Sequence, residues 1–196
     1  IYTYSDIEYF KKVNKICINN KIKIINANDI LIPTNKEFLP LSDLFRFTLL
    51  STKNECIWCD TDLFLLRPLP EGDYVSSEHT RLTGTMGTKN RTKNANIGCI
   101  SQTKQIIDWN KIITKCIKSK QEQKSNANNF MKIYQKEVLT NHWNMVKEPN
   151  DFCPISWPYS KELYTQTDII GTKHGIDQKK IEWILQNSIG IHLWRN

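Results

Sequence analysis

Glycine is scarce, with seven in 196 residues and none between Ile1 and Lys23. That absence removes the Gly-rich phosphate loop that enzymes making nucleotide-sugars usually carry near the N-terminus. No apolar run approaches the roughly 20 residues needed to span a bilayer. No secretory signal pattern is present, and no internal repeat is found. A second cysteine pair with zinc-site spacing is also missing, so Cys56-x-x-Cys59 has no partner pair to complete a four-thiol site.

What is present is a globular composition: 39% hydrophobic residues, with six Trp, seven Tyr and seven Phe. The length suits one domain over 1–196 with a real core. A chain that begins at Ile1 instead of Met reads as a domain of a longer protein. The net charge is +7. A solvated Lys-rich surface accounts for it, and attraction of an anionic substrate is the sharper alternative. Lys is spread along the whole chain, and no known nucleic-acid-binding motif accompanies it, so a basic nucleic-acid-binding domain is the weaker expectation.

The six cysteines are Cys17, Cys56, Cys59, Cys99, Cys116 and Cys153. Cys56 and Cys59 frame Ile57-Trp58 in a run that reads as a buried, central strand covered on both faces. Residues three apart on a strand face opposite ways, which places them poorly for joint chelation. They are expected to be core thiols, which suits a reducing, cytoplasmic compartment. An origin in the Golgi lumen stays open, and Asn90-Arg91-Thr92 is one acceptor pattern for N-glycosylation.

Periodicity predicts alternating strands and helices. Strands are expected at 1–5, 21–25, 56–59, 74–77, 96–101 and 189–194. Helices are expected at 6–18, 41–50, 103–118, 129–140 and 177–187. On Leu41–Leu50 the apolar face is Leu41, Leu44, Phe45 and Thr48/Leu49, and Ser42 can cap the start. The segment 26–40 reads as loop, and 81–93, with Gly84 and Gly87, as a mobile loop. This order predicts an α/β layered fold.

Asp60 and Asp62 directly follow the Cys-Ile-Trp-Cys strand. Ligands of open α/β sheets bind beyond the carboxyl ends of strands. Two carboxylates there repel each other and call for a cation. Mg²⁺ or Mn²⁺ fits such oxygen donors, with water and substrate phosphates in the remaining positions. A diphosphate sits beside two carboxylates only when a metal bridges them, and the metal also stabilises it as a leaving group. Asp43 and Arg46, three apart on the preceding helix, are neighbours. They form either a surface ion pair or a pair that contacts sugar hydroxyls and phosphate.

The run Leu41-Ser-Asp-Leu-Phe-Arg-Phe, then Ile57-Trp-Cys-Asp-Thr-Asp-Leu63, then Arg67-Pro-Leu69 resembles the D-x-D sugar-binding glycosyltransferases. These include glycosyltransferase family 32 and the matching segment of the glucosylating clostridial toxins. The strong resemblance covers about 30 residues. It departs at Lys53-Asn54-Glu55, where the family commonly has Gly-Gly, so that turn must be built differently.

The resemblance implies a GT-A-like single-domain α/β/α sandwich with a central mixed, mostly parallel sheet. It implies a UDP- or GDP-sugar donor, UDP-sugar favoured, with Mn²⁺ or Mg²⁺, and a glycan or glycoprotein acceptor. Asp62 would bind the metal and Asp60 the metal or ribose. Asp43 and Arg46 would hold the sugar and its phosphate. Asn94-Ala-Asn-Ile-Gly98 is similar to the family's small-residue segment, with Asn96 beside the donor sugar. Ile191-His-Leu-Trp194 is similar to its terminal H-x-W, with His192 completing the metal shell and Trp194 near the diphosphate. Tyr2, Thr3, Tyr4 and Ser5 end the first strand, where related folds hold uridine; aromatic core is the equal alternative. The resembling families mostly retain anomeric configuration. An inverting enzyme needs a carboxylate base, for which Glu78 and Asp73 are candidates. The Gly-poor, Lys/Asn-rich domain also resembles glycosyltransferase domains of large DNA viruses of algae, which would imply a capsid glycan as acceptor.

Overall fold

The computed structural model describes residues 1–13, 22–33, 41–79, 93–122, 129–155 and 178–193. The loop expected at 81–93 lies almost wholly outside them, as do Cys17, Asn90 and Trp194. The chain is mixed α/β, and its contacts group into two compact units: Ile1–Lys53 with Asp108–Phe130, and Asn54–Ile107 with Met131–Asn196. Among the described residues no helix is long and apolar enough to cross a membrane.

In the first unit, β1 (Tyr2–Thr3) pairs in parallel with β2 (Ile25–Asn26), Tyr2 opposite Ile25. Helix α1 covers Ile7–Val13 and is capped by Asp6, whose Oδ1 accepts from the Tyr9 amide at 2.8 Å. Helix α2 (Leu41–Thr52) packs on α3 (Trp109–Glu122). Phe47 stacks on Trp109 with centroids 5.4 Å apart and tilts against Phe130 at 5.2 Å. Together with Leu50 and Ile112 these rings build a core of fully buried or nearly buried side chains. The buried face of α2 therefore runs through Phe45, Phe47, Leu49 and Leu50, turned from the one the sequence spacing predicts. Ser42 lies inside the helix and is exposed, so it does not cap it. Helix α3 starts at Trp109 and not at Thr103, because Asp108 accepts from the Lys111 amide at 2.8 Å and caps it there.

The second unit holds a three-stranded antiparallel sheet in the order β3 (Cys56–Cys59), β6 (Lys93–Gln102), β5 (Tyr74–His79). A separate antiparallel pair joins β4 (Leu63–Leu65) to β7 (Gly190–His192). Helix α4 spans Asn129–Asn141, α5 Pro149–Phe152 and α6 Gln178–Asn187. The described pairings do not make a mostly parallel sheet: besides β1–β2, parallel pairing is seen in the bridge between Val75 and Val146. Nor is Cys56–Cys59 a central strand covered on both faces. Among the described residues it pairs with β6 alone, and Ile57 is 48% exposed. Tyr74, Cys99, Phe152 and Cys153 form one core cluster of this unit, with Cys59, Leu63, Leu69 and Ile189 packed against it.

Candidate metal centre in the second unit

Strand β3 ends where Asp60 begins a turn. The Asp60 amide donates to Gly98 O at 2.8 Å, which extends the β3–β6 ladder by one step. The Leu63 amide donates back to Asp60 O at 3.1 Å, so Asp60-Thr-Asp-Leu folds as a tight turn between β3 and β4. Asp60 Oδ1 accepts from the Trp58 indole Nε1 at 2.8 Å. That bond aims the other carboxylate oxygen toward His192.

His192 is delivered by β7, directly opposite Leu63 in the β4–β7 register. The Leu193 amide donates to Asp62 O at 2.8 Å, locking the strand alongside the acidic turn. His192 Nε2 lies 3.4 Å from Asp60 Oδ2 and 3.3 Å from Asp62 Oδ1. The ligand atoms of the three side chains all fall within 4.8 Å of one another. Two carboxylate oxygens and an imidazole nitrogen make a donor set suited to Mg²⁺, Mn²⁺ or another small divalent ion.

Two glycines make this approach sterically possible. A Cβ on Gly98 would stand 3.0 Å from His192 Cδ2 and 3.1 Å from its Nε2. The imidazole therefore rests on bare backbone. A Cβ on Gly190 would meet Phe64 O at 3.0 Å, so β7 lies close to β4 only because that position is glycine. Arg67 secures the same junction from the other side. Its guanidinium donates to Ser188 O at 2.8 Å and Leu185 O at 3.0 Å, and also to Gln186 O. Leu185 O and Gln186 O are among the last carbonyls of α6, which lack partners within the helix, and Ser188 directly follows it. The Leu66 amide donates to Ile189 O at 2.9 Å, so the end of α6 and the start of β7 are fastened to the end of β4.

Asn96 is a buried hub behind the centre. Its Oδ1 accepts from the Gly98 amide at 3.1 Å and from the Ser76 hydroxyl. Its Nδ2 donates to Cys153 Sγ at 3.0 Å, and its carbonyl accepts from the Tyr134 hydroxyl at 3.0 Å. The residue is 3% exposed, so its described bonds hold β5, β6 and α4 together around Gly98. Burial pushes the Cys153 thiol up to about 12. Cys99 is pushed well above the ordinary thiol range, first by its contact with Cys59 and then by burial. Burial also raises the Glu78 carboxyl, an effect partly offset by the nearby His192 imidazole. Glu78, one of the two candidate bases, is thus in electrostatic reach of His192. Asp73 Oδ1 instead accepts from Thr103, from its amide and from its hydroxyl at 2.9 Å.

The remaining predicted residues belong to the first unit. Arg46 Nη1 lies 3.4 Å from Asp43 Oδ1, with side chains 7% and 15% exposed, so the pair is part-buried and not fully on the surface. Burial pushes the Cys116 thiol on α3 up to about 11, with the Asp43 carboxylate adding to the shift. Thr3 is buried, and its hydroxyl accepts from the Ser5 amide at 3.0 Å. The Tyr4 hydroxyl donates to Leu31 O at 3.0 Å, and both Tyr2 and Tyr4 lean on Phe45, at 5.4 and 6.0 Å.

The sequence pattern points to Asp60, Asp62 and His192, and the structure brings them together. It brings Asp43 and Arg46 to each other. Gly98, Arg67 and Trp58 carry the geometry of the centre without having been singled out. The signal available for Arg67 was its place next to a proline at the end of an apolar run. Compared with known proteins, the chain matches no family model, no curated protein and no solved structure.

Proposed function

We propose that the chain is a metal-dependent glycosyltransferase that moves a sugar from a nucleotide-sugar, UDP-sugar favoured, to a hydroxyl of a glycan or protein-linked glycan. The observation that carries this reading is the meeting of Asp60, Asp62 and His192 within 4.8 Å. Asp60, Asp62 and His192 would hold Mn²⁺ or Mg²⁺, which would offset charge on the departing diphosphate. In the reaction the bond from the sugar's anomeric carbon to the diphosphate breaks and a bond to the acceptor oxygen forms. The acceptor proton is released, and a nucleoside diphosphate leaves. Within the chain, Trp58 orients Asp60 and Gly98 admits the His192 ring. The resemblance to D-x-D glycosyltransferases assigns sugar and phosphate contacts to Asp43 and Arg46, and uridine contacts to Thr3, Tyr4 and Ser5.

A thermal-shift panel of UDP- and GDP-sugars, with and without Mn²⁺, tests the reading. A ligand that binds only the folded state raises Tm, so nucleotide and metal dependence are read together. The expected result is a shift that needs both components and disappears in Asp62→Ala. Sugar transfer or nucleotide-dependent stabilisation that persists undiminished in Asp62→Ala would overturn it. Steep salt-dependent retention on DNA, with no response to nucleotide and Mn²⁺, would point to a nucleic-acid binder instead.

A further inference from the structure

Behind the acidic turn, two thiols face each other across the sheet. Cys59 is opposite Cys99 in the β3–β6 register, and their Sγ atoms lie 3.5 Å apart. Because the Asp60 amide bonds to Gly98 O, the 60/98 step is a hydrogen-bonded pair and the 59/99 step a non-hydrogen-bonded one. Opposed residues at such a step have Cα atoms about 4.5 Å apart. That lies inside the span of about 4.4–6.8 Å that a disulfide bridges. Closure therefore asks for side-chain rotation and little backbone movement. Cys99 is fully buried, whereas Cys59 is half-buried.

Of the other described thiols, Cys153 packs in the same core cluster as Cys99. Cys56 sits opposite Gln102, Cys153 Sγ takes the Asn96 amide, and Cys116 belongs to the first unit. We propose that Cys59 and Cys99 are a reversible oxidation site, closed to a disulfide by a small-molecule disulfide such as oxidised glutathione. Cys59 sulfur attacks the oxidant, forming a mixed disulfide and releasing one small thiol. Cys99 sulfur then displaces the second small thiol. Two electrons pass to the oxidant, and the two thiol protons leave on the released thiols.

The bond would tie the residue before Asp60 to the residue after Gly98, which is the backbone on which His192 rests. It closes a loop over 59–99 that contains Asp60, Asp62, Glu78 and Asn96. The inference goes beyond the sugar-transfer reading and does not rest on it, since its readout needs neither metal nor nucleotide.

The test treats the full chain with oxidised glutathione and maps the product by mass after non-reducing digestion. The expected product links the peptides of Cys59 and Cys99 with loss of two hydrogens, and dithiothreitol reverses it. The oxidised chain should melt several degrees higher, as expected for a cross-link across a loop of this length. Cys99→Ala should arrest Cys59 as a mixed disulfide. Should that core variant not fold, Cys59→Ser supplies the test: no link forms, and Cys99 stays unmodified under native conditions. A wild-type chain that stops at the Cys59 mixed disulfide overturns the proposal. So does a link from either residue to Cys56 or Cys153, or a pair that does not react at all.

Discussion

Asp43–Arg46 on α2 and the Asp60–Asp62–His192 group are both charged clusters held largely away from water, yet they balance charge in opposite ways. The helix pair joins one carboxylate to one guanidinium, three residues apart, and both come from a single element. It forms as soon as the helix does. The second group sets two carboxylates against one imidazole, and its members come from a turn and from a strand 132 residues distant from Asp60. In the helix pair one carboxylate meets one guanidinium. A group with two carboxylates and one imidazole is left with more acid than base, an imbalance that the proposed cation would offset.

The comparison can be broken most sharply at Arg46. Arg46→Ala leaves the part-buried Asp43 carboxylate without this guanidinium, and removing one partner of a pair costs up to about 3–5 kcal/mol as the pair becomes fully buried. Urea unfolding should show that loss, and the double variant Asp43→Leu/Arg46→Met should recover most of it. A single variant within 1 kcal/mol, roughly, of wild type would mean that the pair is no more than a surface contact.

Gly98→Ala probes the other cluster. The new methyl group meets the imidazole, so His192 must shift by a few tenths of an ångström or more. Mn²⁺ affinity, followed by the electron-spin signal of the free ion, should fall about 10- to 100-fold, as it does when the support of a ligand is lost. Unchanged affinity would show that His192 takes no part in holding the metal.

Arg67→Ala removes the donor from the last carbonyls of α6. We expect a loss of about 1 kcal/mol in thermal or urea unfolding, together with weaker Mn²⁺ binding through a looser β7. Arg67→Lys should recover only part of it, because one ammonium cannot reach the same fan of carbonyls.

The smallest effect is a slope. Burial raises the Asp151 carboxyl above its ordinary range, against the opposing amide bond from Glu148. A raised carboxyl favours the protonated form in the fold. Stability should therefore fall as pH rises from the unfolded carboxylate range through the folded value. Asp151→Asn keeps the acceptor and should flatten that part of the pH–stability curve.

The acidic turn was legible because a short apolar run ends abruptly in two aspartates, and strand ends are where such groups become accessible. His192 was legible only through its spacing from Trp194. The surroundings were not. An apolar run states that a segment is at least half-buried but not how many neighbours it pairs with, so Cys56–Cys59 read as a central strand although Ile57 stands exposed. The start of α3 was misplaced because apolar spacing continues upstream of Asp108, and the cap overrides it. The importance of Gly98 depends on a side chain 94 positions further on, which no local pattern can reveal.

The pairing of β4 with β7 also sets an order of events during synthesis. A ribosome that has released the chain through residue 150 has delivered both aspartates, their supporting strand β6 and the glycine platform, but not His192. Until β7 emerges and docks beside Leu63, the nascent chain carries an acidic turn with two of its three donors. The donor set is thus completed late, at the far end of a long loop whose closure costs entropy before any contact rewards it.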